Sequence, residues 1–225
     1  AVASFASALA VLTTEHQQQG AVVIDIGAGT TDYIVYRDGT IQHSGVLAVG
    51  GDHLTNDIAT GLKIPMPLAE QLKIGHGSVD YPVADESISL KRGVGLPDRD
   101  ISKDQLCRIM NLRVEETLTF VKKELDKQKL HDYLGAGVFI TGGCARLRGL
   151  EALATRVFGL PVHIGHSHTV NGPTSAIESP EYSTAIGLVR FALGSQRETG
   201  HRAPSPLEKV SHLFHGFVHK VRALF

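Results

Sequence analysis

The chain has 225 residues, 42% of them hydrophobic and 20% charged, with a formal net charge of −1. That composition suits a globular protein with a buried core, and neither the total charge nor any basic run with interleaved aromatics recruits nucleic acid. No apolar run reaches the ~20 residues that would cross a bilayer as a helix, and Cys107 and Cys144 read as free thiols of a reducing compartment.

The alanine-rich opening predicts a helix over residues 3–15, entered part-way through as if the chain were cut from a longer one, with a Gln-rich loop closing at Gly20. "AVVIDIG" at 21–27 is a near-continuous apolar strand, as in a sheet covered on both faces. A glycine turn leads to an alternating strand at 31–37, a hairpin turn over Arg37 to Gly39 and a strand at 40–48. Gly50 and Gly51 open a helix through "DHLTNDIATGL", and another follows Pro65 at about 67–75. Residues 76–101 mix short strands and loops. Ser102 and Gln105 form a capping box before a long helix with apolar positions Leu106, Ile109, Met110, Val114, Leu118, Val121 and Leu125. A strand "AGVFITGG", a helix "LRGLEALATRVFG", a strand "PVHIG" and a helix "STAIGLVRFALG" complete the globular part. Residues 195–206 are a polar linker and 207–225 a separate helix. Alternating strands and helices indicate α/β architecture.

Two glycine turns carry chemistry. In "DIGAGTTD" (residues 25–32), Gly27 and Gly29 clear space for backbone amides to approach a polyphosphate, and the Thr30 and Thr31 hydroxyls can reach its oxygens. Asp25 would hold a water of the Mg²⁺ ion that such phosphates carry, and Asp32 closes the turn. A hairpin that uses glycines for turn geometry alone is the plain alternative. Strand, Gly-Gly and helix recur at "FITGGCARLRGLEAL", where Gly142 and Gly143 let a flat ligand lie against backbone at a helix N-terminus.

These segments resemble, in the same order, the actin-like ATPase superfamily, and most closely the FtsA-type bacterial cell-division proteins. "VVIDIGAGTTDYIVYRDGTIQHSGVLAVGGDHLTNDIA" is similar to the second phosphate loop, with Ala28 where the family usually has glycine, a methyl that a negative φ would accommodate. "AEQLKIGHGS" resembles the nucleoside helix, which implies Glu70 and Lys73 near ribose and adenine. "VFITGGCARLRGLEALATRVFGLPVHIG" resembles the adenosine motif, implying Gly142 and Gly143 under the nucleoside with Cys144 beside them, and "STAIGLV" the hinge helix, with Ala185 and Gly187.

The resemblance implies the second domain of an actin-like (ribonuclease H-like) ATPase: a mixed sheet flanked by helices in a core lobe IIA (1–46 and 127–194), and a smaller inserted lobe IIB (47–126). It further implies ATP with Mg²⁺ held through water, at most weak ATPase activity, self-association into filaments, and an FtsZ C-terminal tail on lobe IIB. Such a protein tethers the FtsZ ring to the inner face of the cytoplasmic membrane at the division site. The first phosphate loop and its lobe lie outside the chain. A MreB- or PilM-like scaffold and a small-molecule kinase of the same superfamily are the alternatives.

In the last segment Leu207, Val210, Leu213, Phe214, Phe217, Val218, Val221, Leu224 and Phe225 fill one helical face. Lys209, Lys220 and Arg222 flank it, the design of an interfacial helix on an anionic membrane; docking onto protein is its alternative. His212, His215 and His219 lie opposite. These histidines and the group His163, His166 and His168 read as solvated polar positions and not as metal ligands, and Glu178 and Glu181 as surface charges.

Overall fold

The computed structural model describes residues 2–81, 86–90, 99–167 and 178–198, the last four as backbone only. His168 and the amphipathic segment 207–225 lie outside the described residues.

The opening is two helices, α1 (Val2–Val11) and α2 (Thr14–Gln19), where one was predicted. Thr13 is extended and caps α2: its hydroxyl accepts from the His16 amide at 3.2 Å, and its own amide donates to His16 Nδ1 at 3.3 Å. This local box stops α1 and turns the predicted Gln-rich loop into helix. Strand β1 (Ala21–Ile26) pairs antiparallel with β2 (Thr31–Arg37), which pairs antiparallel with β3 (Thr40–Leu47). Asp38 and Gly39 take φ of 52° and 72° between β2 and β3, as a type I′ turn requires.

Helices α3 (Gly51–Leu62) and α4 (Met66–His76) follow, and β4 (Ser87–Leu90) and β5 (Arg99–Ser102) form a separate two-stranded sheet. Ser102 then caps α5 (Lys103–Lys127) by accepting from the Gln105 amide at 3.3 Å. Strand β6 (Gly137–Thr141) lies parallel to β1, and β7 (Val162–Ile164) parallel to β6, giving the mixed order β3-β2-β1-β6-β7. Between them the predicted helix from Leu147 starts late: α6 is Leu150–Phe158, because Gly149 at φ 82° interrupts the chain after a 3₁₀ turn over Gly143–Arg146. The last helix, α7 (Ser183–Glu198), runs past Gly194 into the predicted linker.

Alternate residues of β1 enter two cores, as the period of a strand dictates. Val22, Ile24 and Ile26 pack with Leu54, Leu118 and Leu153 of α3, α5 and α6, while Ala21 and Val23 pack with Ala8 and Val11 of α1. The continuous apolar run of β1 is therefore that of a central strand buried on both faces. α7 crosses α1 where Gly187 leaves no room: a Cβ there would overlap the Ala6 carbonyl. Two compact units make up the chain, Ala1–Arg190 and Phe191–Phe225. Among the described residues no helix is long and apolar enough to cross a membrane.

Candidate functional site

The first glycine turn leaves the end of β1 and is stapled to the start of α3. Gly27 N donates to Thr30 O at 2.9 Å, Gly51 N to Gly27 O at 2.9 Å and Asp52 N to Ala28 O at 2.8 Å. Gly50 is required beside this contact, since a Cβ there would fall 2.5 Å from the Ala28 carbonyl oxygen. Ala28 is exposed, and among the described residues positive φ outside glycine occurs only at Asp38, Lys63 and Lys129, so its methyl costs the backbone nothing. Thr30 is exposed and donates to Asp32 Oδ2 at 2.9 Å. Thr31 departs from expectation: it is fully buried and its hydroxyl donates to Val49 O at 2.8 Å, bracing the loop from beneath.

α4 brings a partly buried cation to the same place. Lys73 Nζ lies 2.7 Å from Glu70 Oε2, 2.8 Å from Thr55 Oγ1 and 3.1 Å from Gly51 O. Burial pushes the Glu70 carboxyl up, but hydrogen bonds from Lys73 and Thr55 together with the Lys73 charge hold it below its ordinary value.

The second turn ends β6. Gly142 has φ 86°, and a Cβ on it would collide with the Asp25 carboxylate and the Ile26 carbonyl. Gly143 differs: it is exposed, its φ is not positive, and a Cβ would meet nothing within 4 Å. Cys144 comes next, its Sγ 3.7 Å from Gly27 O, and burial pushes its thiol up. Arg146 is held by Glu181 at 2.6 and 2.9 Å and by Ser179 Oγ at 2.9 Å, so Glu181 is paired and not merely a surface charge. Arg148 donates to Gly75 O at 3.1 Å.

Loop, helix and turn enclose a cavity of about 500 Å³. Of the residues singled out by sequence, Gly27, Ala28, Glu70, Lys73, Gly143 and Cys144 line it; Asp25, Gly29, Thr30, Thr31, Asp32 and Gly142 do not. Gly51, Asp52, Ile74, Arg146, Leu147 and Arg148 also line it and were not anticipated. The two arginines had a signal in "CARLRG", directly after the Gly-Gly turn. Asp25 sits behind the cavity wall, its Oδ2 accepting from Ser7 and from Thr184 Oγ1, the latter at 2.8 Å. Ala185 is exposed on α7 and Gly187 buried at the α1 crossing, both away from the cavity.

The histidines are spread out. His163 packs on the Phe139 ring with centroids 5.5 Å apart, and a His166 ring nitrogen lies 2.8 Å from Glu178 O. Among the described residues no group of three or more His, Cys, Asp or Glu is placed to hold a metal ion.

With this geometry in place, comparison with known proteins is informative. Residues 22–187 match the family model "Cell division protein FtsA". Cell division protein FtsA of Pseudomonas aeruginosa is 35% identical over 195 residues, covering 86% of the chain and 47% of that relative. The Neisseria meningitidis protein of the same name is 38% identical over 191 residues, covering 83% of the chain and 46% of the relative. The chain thus spans about half the length of the curated relatives it matches. Among solved structures, MreB5 of Spiroplasma citri bound to ADP superposes with a TM-score of 0.70 at 22% identity, over 89% of this chain and 61% of that one. A MamK double helical filament gives 0.62 at 18% identity, over 84% and 58%. The fold is therefore actin-like: an α/β mixed sheet flanked by helices.

Proposed function

The chain belongs to the cell division protein FtsA family, and on that premise we propose that it is the second domain of an actin-like ATPase, with the cavity as its side of a nucleotide site. One observation carries the reading: a glycine loop at 27–28, a lysine at 73 and a Gly-Cys turn at 143–144 converge on one cavity of about 500 Å³, within the range of small-molecule sites. Lys73, Arg146 and Arg148 supply positive charge, and Ile74 and Leu147 apolar surface for a base. ADP binding by the MreB5 structure supports a nucleotide here.

ATP is the ligand proposed. Asp25 and Asp52 are single carboxylates near the loop, a donor set that suits a hydrated Mg²⁺ carried by phosphate better than an all-protein cage. When bound, the ion would neutralise phosphate charge, with Asp25 holding one of its waters. Gly29 and Thr30 amides at the exposed loop tip would face the phosphates, Asp32 would fix Thr30, and Gly142 would set the turn under the nucleoside.

In the whole protein, residues 1–46 and 127–194 form lobe IIA and 47–126 lobe IIB; Ala185 and Gly187 belong to the hinge between domains. The protein self-associates into filaments, engages the FtsZ C-terminal tail through lobe IIB, and lies on the inner face of the cytoplasmic membrane at the division site. Residues 207–225 are its anchor. Family membership and the filament-forming MamK relative support these assignments. Vesicle sedimentation tests the anchor: the chain should pellet with anionic vesicles and a chain truncated before residue 205 should not. Retained binding after truncation would remove the anchor from the account.

A further inference from the structure

The peptide group between Val49 and Gly50 is held at both of its polar atoms by side chains from different elements. Thr31, fully buried on β2, donates its hydroxyl to the Val49 carbonyl oxygen at 2.8 Å. The Gly50 amide of the same unit donates to Nδ1 of His53, in the first turn of α3, at 3.2 Å. Accepting at Nδ1 leaves the proton of the neutral ring on Nε2. Because a peptide group is planar, fixing its oxygen and its nitrogen fixes the orientation of the whole unit.

No peptide near the cavity has more need of such support. Gly50 has no side chain with which to cap α3, and a Cβ there would strike the Ala28 and Gly27 carbonyl oxygens at 2.5 and 2.7 Å. Glycine is required for this close approach, yet glycine is also the residue whose backbone turns most freely. The next two amides, of Gly51 and Asp52, are the ones that staple Gly27 and Ala28. Those four residues line the cavity, whereas Thr31 and His53 do not. A turn of the Val49–Gly50 peptide would redirect the chain entering α3 and loosen the staple, so both side chains reach the cavity only through that peptide.

We propose that Thr31 and His53 are positioning residues that act as a pair: they clamp the Val49–Gly50 peptide and through it hold the glycine loop in the shape that receives a nucleotide. That role presupposes the nucleotide reading of the cavity. Each side chain contributes one neutral hydrogen bond, worth about three- to tenfold in an equilibrium constant. Since both act on one rigid group, releasing either end frees it, and the second loss adds little.

The test measures ADP affinity of the full chain by calorimetry in the wild type, Thr31→Val, His53→Phe and the double variant. Thr31→Ser keeps the hydroxyl, and His53→Gln keeps an acceptor that can reach the N-cap amide from this helix position. Amide hydrogen exchange at Gly51 and Asp52, without nucleotide, reads the staple itself. In the expected result, Thr31→Val and His53→Phe each bind ADP about three- to tenfold more weakly, and both speed exchange at Gly51 and Asp52. The double variant is within about twofold of the weaker single variant, and Thr31→Ser and His53→Gln match the wild type. Wild-type affinity in Thr31→Val and His53→Phe removes the positioning role while the nucleotide reading stands. Losses that multiply in the double variant make the two contacts independent and overturn the pair. Equal losses in Thr31→Ser and His53→Gln reduce the effect to packing and also overturn it. A wild-type chain that binds no ADP removes the nucleotide reading, and this inference with it.

Discussion

Lys73 Nζ donates to the Gly51 carbonyl oxygen at 3.1 Å, tying α4 to the first residue of α3. Because the Gly51 amide in turn donates to Gly27 O at 2.9 Å, one lysine secures the glycine loop from behind. Its side chain is only 11% exposed, against 42% for its partner Glu70. Lys73→Met should therefore lower stability by about 1–2 kcal/mol, between the value of an exposed pair and a buried one. Urea denaturation measures this, and an unchanged midpoint would mean the three acceptors re-solvate freely.

Glu70 gives this contact a pH dependence. Its carboxyl is held below the ordinary value of 4.5 in the folded chain. A lowered folded-state pKa contributes stability above the unfolded value, and that contribution disappears as pH falls through the folded value. Wild type should exceed Glu70→Gln in stability at neutral pH by a few tenths of a kcal/mol, roughly an exposed-pair effect, and the gap should close in acid. A gap that widens on acidification would reverse the assigned sign.

The two glycines of the second turn should behave oppositely. Gly142→Ala puts a Cβ at φ 86° into the Asp25 carboxylate and should cost about 1–3 kcal/mol or more, the range for overpacking. Gly143→Ala meets nothing within 4 Å and should leave the melting temperature where it was. Its methyl projects where a nucleoside would lie, so ADP affinity should fall at least tenfold. Calorimetry of both variants separates the two cases.

The thiols should report on the cavity without mutation. Burial pushes both Cys107 and Cys144 up, so neither should alkylate quickly at neutral pH. Cys144 is partly exposed and Cys107 fully buried. Iodoacetamide followed by mass spectrometry should modify Cys144 first as pH rises, with ADP slowing it, and Cys107 only on unfolding. Modification of Cys107 ahead of Cys144 would contradict the packing described.

What could be read in the sequence was local. The β1–turn–β2 hairpin and the capped α5 each depend on neighbours within a few positions, and their residues announced them. The break between α1 and α2 was missed because a Thr13–His16 box outweighed a run of helix formers. The late start of α6 followed from one left-handed glycine. Long-range partners left no trace: Arg146 and Glu181 are 35 positions apart, and Asp25 and Thr184 are 159 apart. Thr31 pointed inward because strand alternation, set by burial of Ile34 and Tyr36 on one face and Tyr33 and Val35 on the other, governs its side chain as well.

The central claim is that the cavity between Gly27, Lys73 and Gly143 holds a nucleotide, and amide chemical-shift mapping during an ADP–Mg²⁺ titration tests it most directly. The account predicts saturable shifts at Gly27 to Thr30, around Lys73 and at Gly143 to Arg148, all requiring at least about tenfold more ADP in Gly143→Ala. Shifts confined to other surfaces, or saturating at unchanged ADP in Gly143→Ala, would contradict it.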